Sequence, residues 1–149
     1  MQVHGQRSLQ LLRDTRGFTL VELLVVILIV GILATIALPA FLSQRVKGQD
    51  AKAETMIRTA HTALRTHELD QDTFNATRAD LEAIEPTIGE ASAAFVVVGT
   101  IDTFTITERS ASNTDFTLTR DASGKVTRTC SVPARGLCRA TLDADGNRW

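Results

Sequence analysis

The feature that most constrains this chain is an apolar run that begins directly after a basic segment. Residues 18–42 contain one charged side chain, Glu22, and the next charge along the chain is Arg45. These 25 residues would extend about 37 Å as a helix, which exceeds the roughly 30 Å hydrocarbon layer of a bilayer. The sequence therefore predicts a membrane-spanning helix with a single acid near its start.

The charges before the run predict its orientation. Arg7, Arg13 and Arg16 precede it, and only Asp14 opposes them. An excess of arginine places the N-terminus in the cytoplasm and the rest of the chain outside. A secretory signal peptide has a similar start but is cut after its apolar stretch at small residues. The segment 35–37 is a poor match to such a site, so we expect the helix to be retained.

The helical pattern continues beyond the apolar run. Apolar residues recur at steps of three and four, which is typical of an amphipathic helix. This predicts one long helix from about Phe18 to Leu69, with its second half packed on a globular head. Gly31 and Pro39 lie inside the first half, where each weakens the helix and proline also removes a hydrogen bond. The apolar positions of the second half are Ala53, Met56, Ile57, Ala60, Ala63 and Leu64.

A short helix is predicted in the connection that follows. Thr77 with Asp80 three residues later is a pattern that begins helices. We expect Leu81 and Ile84 to face inward, and the segment Pro86–Gly89 to end the helix.

The period then changes to two, which predicts β-strands. Alternation means that each strand buries one face, and the only long amphipathic element available to cover that face is the second half of the helix. We expect the last strand to lie at an edge, because Arg128 breaks its alternation. The sequence thus predicts an α+β fold, a long helix packed on a small antiparallel sheet. The four predicted strands cover residues 95–98, 103–107, 115–119 and 125–130.

The two cysteines, Cys130 and Cys138, lie in the part that would be outside the cell. Pro133 and Gly136 between them favour a turn. An oxidising compartment favours a disulfide, whereas a metal site would need more ligands than two thiols.

Charge and motifs exclude several function classes. The net charge of −1 argues against bulk attraction to nucleic acid. Residues 120–149 are locally basic, which favours a face that helps subunits pack, with weak binding to DNA or a surface as the alternative. Asp143 and Asp145 resemble part of a calcium loop, but the terminal glutamate is missing, so a polar turn is favoured. No nucleophile motif or cofactor motif is recognised, and we do not expect an enzyme.

The segment Gly17–Leu23, followed by the apolar run, resembles the N-terminus of type IV prepilins and of the related pseudopilins. The resemblance covers about the first third of the chain. It implies a prepilin leader over residues 1–17, a transmembrane and filament-core helix over 18–42, and an extracellular head over 43–149. The head would hold the second half of the helix, a loop with a short helix, the sheet and a disulfide-closed loop.

The resemblance also implies roles for individual residues. A prepilin peptidase would cut between Gly17 and Phe18, and the new amine of Phe18 would be N-methylated. Glu22 would be the acid that directs assembly. Gly31 and Pro39 would let the helix unwind when subunits leave the bilayer.

The cost of burying an acid supports the role of Glu22 independently. A carboxylate inside a membrane helix costs about 2.5–3.5 kcal/mol, and no cation lies within the run. Cleavage would create a cation at Phe18, four residues away, so the acid of one chain could pair with the amine of a neighbour and set the stagger. The alternative is an acid at the level of the lipid headgroups, without a partner.

The favoured function is a structural subunit of a type IV pilus-like filament, a homo-polymer built by assembly machinery. Before assembly it would cross the cytoplasmic membrane once, and afterwards it would lie in a filament on the cell surface. A pseudopilin of a type II secretion-like system is the first alternative. A membrane-anchored module that never polymerises is the second.

Overall fold

The long helix predicted from the sequence is a single α-helix, α1, which runs from Leu20 to Gln71. We describe it from a computed structural model, in which residues 17–149 are described. All of the predicted leader except Gly17 lies outside the described residues.

The chain divides into two compact units, one ending at Leu38 and one covering Pro39–Trp149. In the first unit, every described side chain is exposed except that of Ala34, which is partly buried. Among the described residues, α1 is the helix that is long and apolar enough to cross a membrane. A continuous exposed apolar surface of this kind needs a covering of lipid or protein.

Four strands form an antiparallel sheet in the second unit, in the order in which they follow along the chain. The predicted alternation is confirmed, since Phe104 and Ile106 on one strand and Phe116 and Leu118 on the next are buried. The last strand lies at an edge of the sheet, as predicted. The strands are β1 (Val96–Gly99), β2 (Phe104–Arg109), β3 (Asp115–Arg120) and β4 (Val126–Cys130).

The core forms where the second half of α1 lies over the sheet. Ile57, Ala60 and Leu64 are fully buried, and they share one apolar cluster with Phe104 and Phe116. The stripe on α1 and the alternation in the strands therefore meet as expected, and the predicted α+β fold is confirmed.

The segment between α1 and β1 differs in part from the prediction. Thr77 caps a helix, α2 (Arg78–Ile84), with Asp80 completing a capping box. The prediction that Ile84 faces inward is wrong, because this side chain is 38% exposed. The helix α2 ends before Pro86 as predicted, but the chain then forms a 3-10 helix, Pro86–Glu90. Its Ile88 is fully buried and supplies the apolar contact expected of Ile84.

Arg78 holds this segment together. Its guanidinium donates hydrogen bonds to the carbonyl oxygens of Ser92 at 3.1 Å and Gly89 at 3.2 Å. Its Nε also pairs with Glu82 at 2.6 Å, and its guanidinium carbon lies 5.6 Å from the centre of the Phe95 ring. One partly buried cation therefore ties the start of α2 to the carbonyl oxygens at the end of this segment.

Candidate functional site

The start of α1 leaves the Gly17–Phe18 peptide bond open. The Thr19 hydroxyl accepts a hydrogen bond from the backbone N–H of Glu22 at 3.2 Å, as a helix N-cap does. Gly17 and Phe18 precede the helix without regular structure, and Phe18 is 81% exposed. The Thr19-x-x-Glu22 pattern was a signal for this boundary that we did not use in predicting the helix to begin at Phe18. An exposed peptide bond outside the helix is one that a peptidase could reach.

Glu22 lies in the first turn of α1, where the helix dipole favours a negative charge. It is exposed, and it forms no ion pair with any residue in 17–149. A partner for its carboxylate would have to come from outside these residues.

Gly31 and Pro39 both lie within α1. A methyl group added at Gly31 would meet no atom within 4 Å, so packing inside one chain does not require glycine there. Pro39 has no N–H to donate to the carbonyl of Thr35, which leaves one gap in the hydrogen-bond ladder. The role of both residues in unwinding stays a prediction.

A buried carboxylate, Asp50, joins three parts of the head. It is fully buried on α1. Its Oδ1 accepts hydrogen bonds from the hydroxyls of Ser110 at 2.7 Å and Ser112 at 2.6 Å. Its Oδ2 accepts one from the backbone N–H of Leu137 at 3.1 Å. Sequence reasoning missed this residue, although it stands three positions before Ala53 and so extends the buried stripe.

The loop closed by Cys130 and Cys138, which are disulfide-bonded, is fitted closely against this carboxylate. Gly136 has a φ of +59°, a backbone conformation that favours glycine. A Cβ atom at this position would lie 1.8 Å from Asp50 Oδ2. The loop can therefore approach α1 only because residue 136 has no side chain.

The last residues of the sequence cover the free edge of β4. The backbone N–H of Arg128 donates a hydrogen bond to Asn147 Oδ1 at 2.9 Å. Its carbonyl oxygen accepts one from the backbone N–H of Arg148 at 2.8 Å. Trp149 packs edge-on against Phe116, with the ring centres 5.8 Å apart. Trp149 and Phe116 therefore act as core side chains. DNA or surface binding by residues 120–149 stays a prediction.

Asp143 closes a polar turn. Its Oδ1 accepts hydrogen bonds from the backbone N–H groups of Asn147 at 2.8 Å and Asp145 at 3.0 Å. These hydrogen bonds stabilise the charged carboxylate and so lower the pKa of Asp143, and the bond from the N–H of Asn147 has the largest effect. Within residues 17–149, no cluster of three or more His, Cys, Asp or Glu side chains is arranged to hold a metal ion. Calcium binding by Asp143 and Asp145 stays an untested prediction.

His61 makes the stability of the head depend on pH. Burial, with Arg65 and Arg128 nearby, lowers its pKa below the ordinary 6.5, so the unfolded chain takes up a proton more readily than the folded chain. The stabilisation of the folded head that comes from neutral His61 is complete above pH 6.5. It is lost as the pH falls toward and through the lowered pKa of the folded state. Glu54 has the opposite effect on the pH dependence of stability. Burial raises its pKa above 4.5, so its effect is to lower stability as the pH rises through that pKa.

We therefore expect His61→Gln to weaken the fall in stability as the pH is lowered below 6.5, the ordinary histidine pKa. The measurement is urea unfolding of the full chain in detergent at several pH values. His67→Gln is the matched control, and equal pH profiles for wild type and His61→Gln would contradict the assignment.

Comparison with known proteins agrees with the N-terminal pattern. Residues 12–38 match the family described as the prokaryotic N-terminal methylation motif. The chain is 37% identical to the type IV major pilin protein PilA of Myxococcus xanthus over 60 residues, which are 40% of this chain and 27% of that protein. It is 38% identical to the type II secretion system core protein G of Vibrio cholerae over 73 residues, 49% of this chain and 50% of that protein.

A third relative is matched over a greater length. The type IV wide pilus major component PilA4 of Thermus thermophilus is 25% identical over 126 residues, which are 85% of this chain and 88% of that protein. The chain spans half or less of the first two relatives. Together the matches support a prepilin-type protein of the pilin or pseudopilin kind.

Proposed function

We propose that this chain is a structural subunit of a type IV pilus-like filament and that it polymerises through the first half of α1. The observation that carries the proposal is the exposed apolar surface of residues 20–42, with Glu22 as its only charge. Lipid would cover this surface before assembly. Neighbouring copies of α1 would cover it afterwards, through close helix packing rather than through a hydrophobic gain.

The route to the filament begins in the cytoplasmic membrane, with the N-terminus in the cytoplasm and the head outside. A prepilin peptidase removes residues 1–17 and leaves Phe18 as the new N-terminus, which is then N-methylated. The methylated amine remains protonated. Assembly machinery draws the processed chain out of the membrane, and Gly31 and Pro39 allow α1 to unwind locally.

Glu22 sets the stagger between neighbours. A carboxylate carried into the core of a helix bundle is costly without a partner, while a carboxylate paired with an amine costs much less. The pairing of Glu22 with the Phe18 amine of the next copy therefore selects one arrangement. A single polar group at a helix interface sets register in the same way.

A pseudopilin of a type II secretion-like system is the second candidate. The similarity to core protein G favours it, but that match covers 49% of the chain, whereas the match to the wide pilus component covers 85%. Electron microscopy at native expression separates the two. Long surface filaments support a pilus, whereas loss of exoprotein secretion on deletion, without long filaments, supports a pseudopilus.

Replacement of Gly17 tests the proposed processing. We expect Gly17→Ile to leave the whole chain in the membrane and none in a sheared surface fraction, because a β-branched side chain blocks the close approach of the peptide backbone to a peptidase. Intact-mass measurement of both fractions gives the answer. Gly5→Ile, at the other glycine of the predicted leader, should be processed normally. Cleavage of Gly17→Ile after residue 17 would contradict the assignment of the site.

A further inference from the structure

One flank of the head, which we call the acidic flank, is formed by residues 70–90. It contains six Asp or Glu residues and one Arg, a net charge of −5. Asp70, at the end of α1, and Glu90, at the end of the 3-10 helix, are exposed. Neither forms an ion pair within residues 17–149. The acidic flank therefore carries negative charge that the chain itself does not neutralise.

A second flank, the basic flank, is formed by residues 122–149. It contains five Lys or Arg residues and two Asp residues, a net charge of +3. Arg135 and Arg139 are exposed. Arg139 is 3.8 Å from Asp143, and Arg135 forms no ion pair with another described residue. This flank carries spare positive charge.

The two flanks lie on opposite sides of α1. Asp50 and Arg58 contact the basic flank, through Leu137 and Trp149 respectively. Met56 and Thr59 instead line a cleft with Glu90 of the acidic flank. At 3.6 residues per turn, these two pairs of positions are separated by about half a turn around the helix. The acidic flank and the basic flank therefore lie on different sides of α1, with Lys52 beside the first and Glu54 beside the second.

We propose that, in the filament, the acidic flank of one head docks against the basic flank of the next copy of the chain. Such a contact joins two different surfaces, so it does not close into a dimer and can be repeated along a helical polymer. Charge complementarity also fixes which surfaces meet, because like flanks repel. This inference rests on the proposed function and names the surfaces through which the heads meet.

The observations favour a second copy over a nucleic acid as the occupant of the basic flank. Its aromatic side chain, Trp149, is 9% exposed and cannot offer a face for base stacking. Asp143 and Asp145 interrupt its cations. Each copy of the chain also carries an acidic flank, whose charge is opposite to that of the basic flank. Polymerisation would place the acidic flank of a neighbouring copy nearby at high local concentration.

Charge reversal in the full chain, produced in cells that assemble filaments, tests the docking. We expect Asp70→Lys/Glu90→Lys, or Arg135→Glu/Arg139→Glu, to lower the yield of sheared filaments at least about tenfold, because each variant then carries the same sign of charge at all four of these exposed positions. The four substitutions together should restore the yield to within about threefold of wild type, because positions 70 and 90 then again carry the opposite charge to positions 135 and 139. Asp102→Lys, an exposed change outside both flanks, is the control and should assemble normally.

Two outcomes must be kept apart. If all the variants reach the membrane at wild-type levels and the four-fold variant assembles no better than its parents, the docking proposal is overturned. If the wild-type chain itself yields no sheared filaments, the proposed function fails instead.

Crosslinking gives a second measurement that does not depend on assembly yield. Filaments of Glu90→Cys/Arg139→Cys, treated with a flexible bis-maleimide, should give a ladder of dimers, trimers and longer species, because each copy then reacts through both flanks. Each single-cysteine variant should give no species larger than a dimer. The native cysteines do not compete, since they are disulfide-bonded. Dimers alone from the double variant would overturn the proposal.

Discussion

Replacing Glu22 with alanine should abolish surface filaments while leaving the chain inserted and stable in the membrane. Removal of the carboxylate leaves the Phe18 amine of each neighbour as an unpaired charge in the filament core. Breaking a buried pair by removing one partner costs about 3–5 kcal/mol. At 1.4 kcal/mol per tenfold change, this lowers the equilibrium constant for adding each subunit by about two to nearly four orders of magnitude.

The measurement is the amount of chain in the sheared surface fraction relative to the membrane fraction. Glu68→Ala is a suitable control, since it removes an acid from the same helix within the head, where the half-buried Glu68 lies 3.3 Å from Arg65. Filaments at wild-type yield from Glu22→Ala would show that the pairing does not set the stagger. They would favour the alternative in which Glu22 lies at the level of the lipid headgroups.

Replacing Asp50 with alanine should destabilise the head more than any exposed substitution. The change leaves the hydroxyls of Ser110 and Ser112 and the N–H of Leu137 without their acceptor in a buried site. An unsatisfied buried donor costs about 1–3 kcal/mol. Some of these donors will relax toward other acceptors, so we expect a total loss of about 3–5 kcal/mol, a large share of a typical stability.

Urea unfolding of the full chain in detergent, followed by the fluorescence of Trp149, measures this loss. The chain has one tryptophan, and it packs in the head, so the signal reports the head alone. Asp70→Ala, on an exposed part of the same helix, should change stability by less than about 0.5 kcal/mol. If Asp50→Ala also changed the free energy of unfolding by less than about 0.5 kcal/mol, the proposed contribution of the Asp50 hydrogen bonds to stability would be contradicted.

The parts of the fold that could be predicted from the sequence are those with a local signal. The stripe from Ala53 to Leu64 specified the buried face of α1, and alternating residues such as Phe104 and Ile106 specified the buried face of the sheet. Each pattern is repeated over several positions, so one irregular residue does not hide it. The cap at Thr77 was equally local.

The parts that could not be predicted depend on contacts between distant residues. Asp50 meets Ser110 and Leu137, which lie 60 and 87 positions further along the chain. Its spacing from Ala53 places it on the buried stripe, but nothing in the sequence identifies the donors that would satisfy a carboxylate there. Ile88 was missed for a different reason. The helix α2 ended before Pro86, as expected from the extended residue that precedes a proline. A 3-10 helix that contains Ile88 then began directly at Pro86.

The roles of the N-terminal residues depend on other molecules. Gly31 touches nothing that would exclude a methyl group, and Glu22 has no cation near it in the described chain. The sequence and one copy of the structure therefore define these positions without defining their partners. The functions proposed for them depend on the assembled filament, which is why they are tested on filaments.

The measurement that tests the central claim most directly is intact-mass and N-terminal mass spectrometry of the chain in a fraction sheared from the cell surface. The account predicts a chain that begins at N-methylated Phe18 and retains the Cys130–Cys138 disulfide. A chain that is absent from that fraction and present only in membranes, still carrying residues 1–17, would contradict the account and favour a membrane-anchored module that does not polymerise.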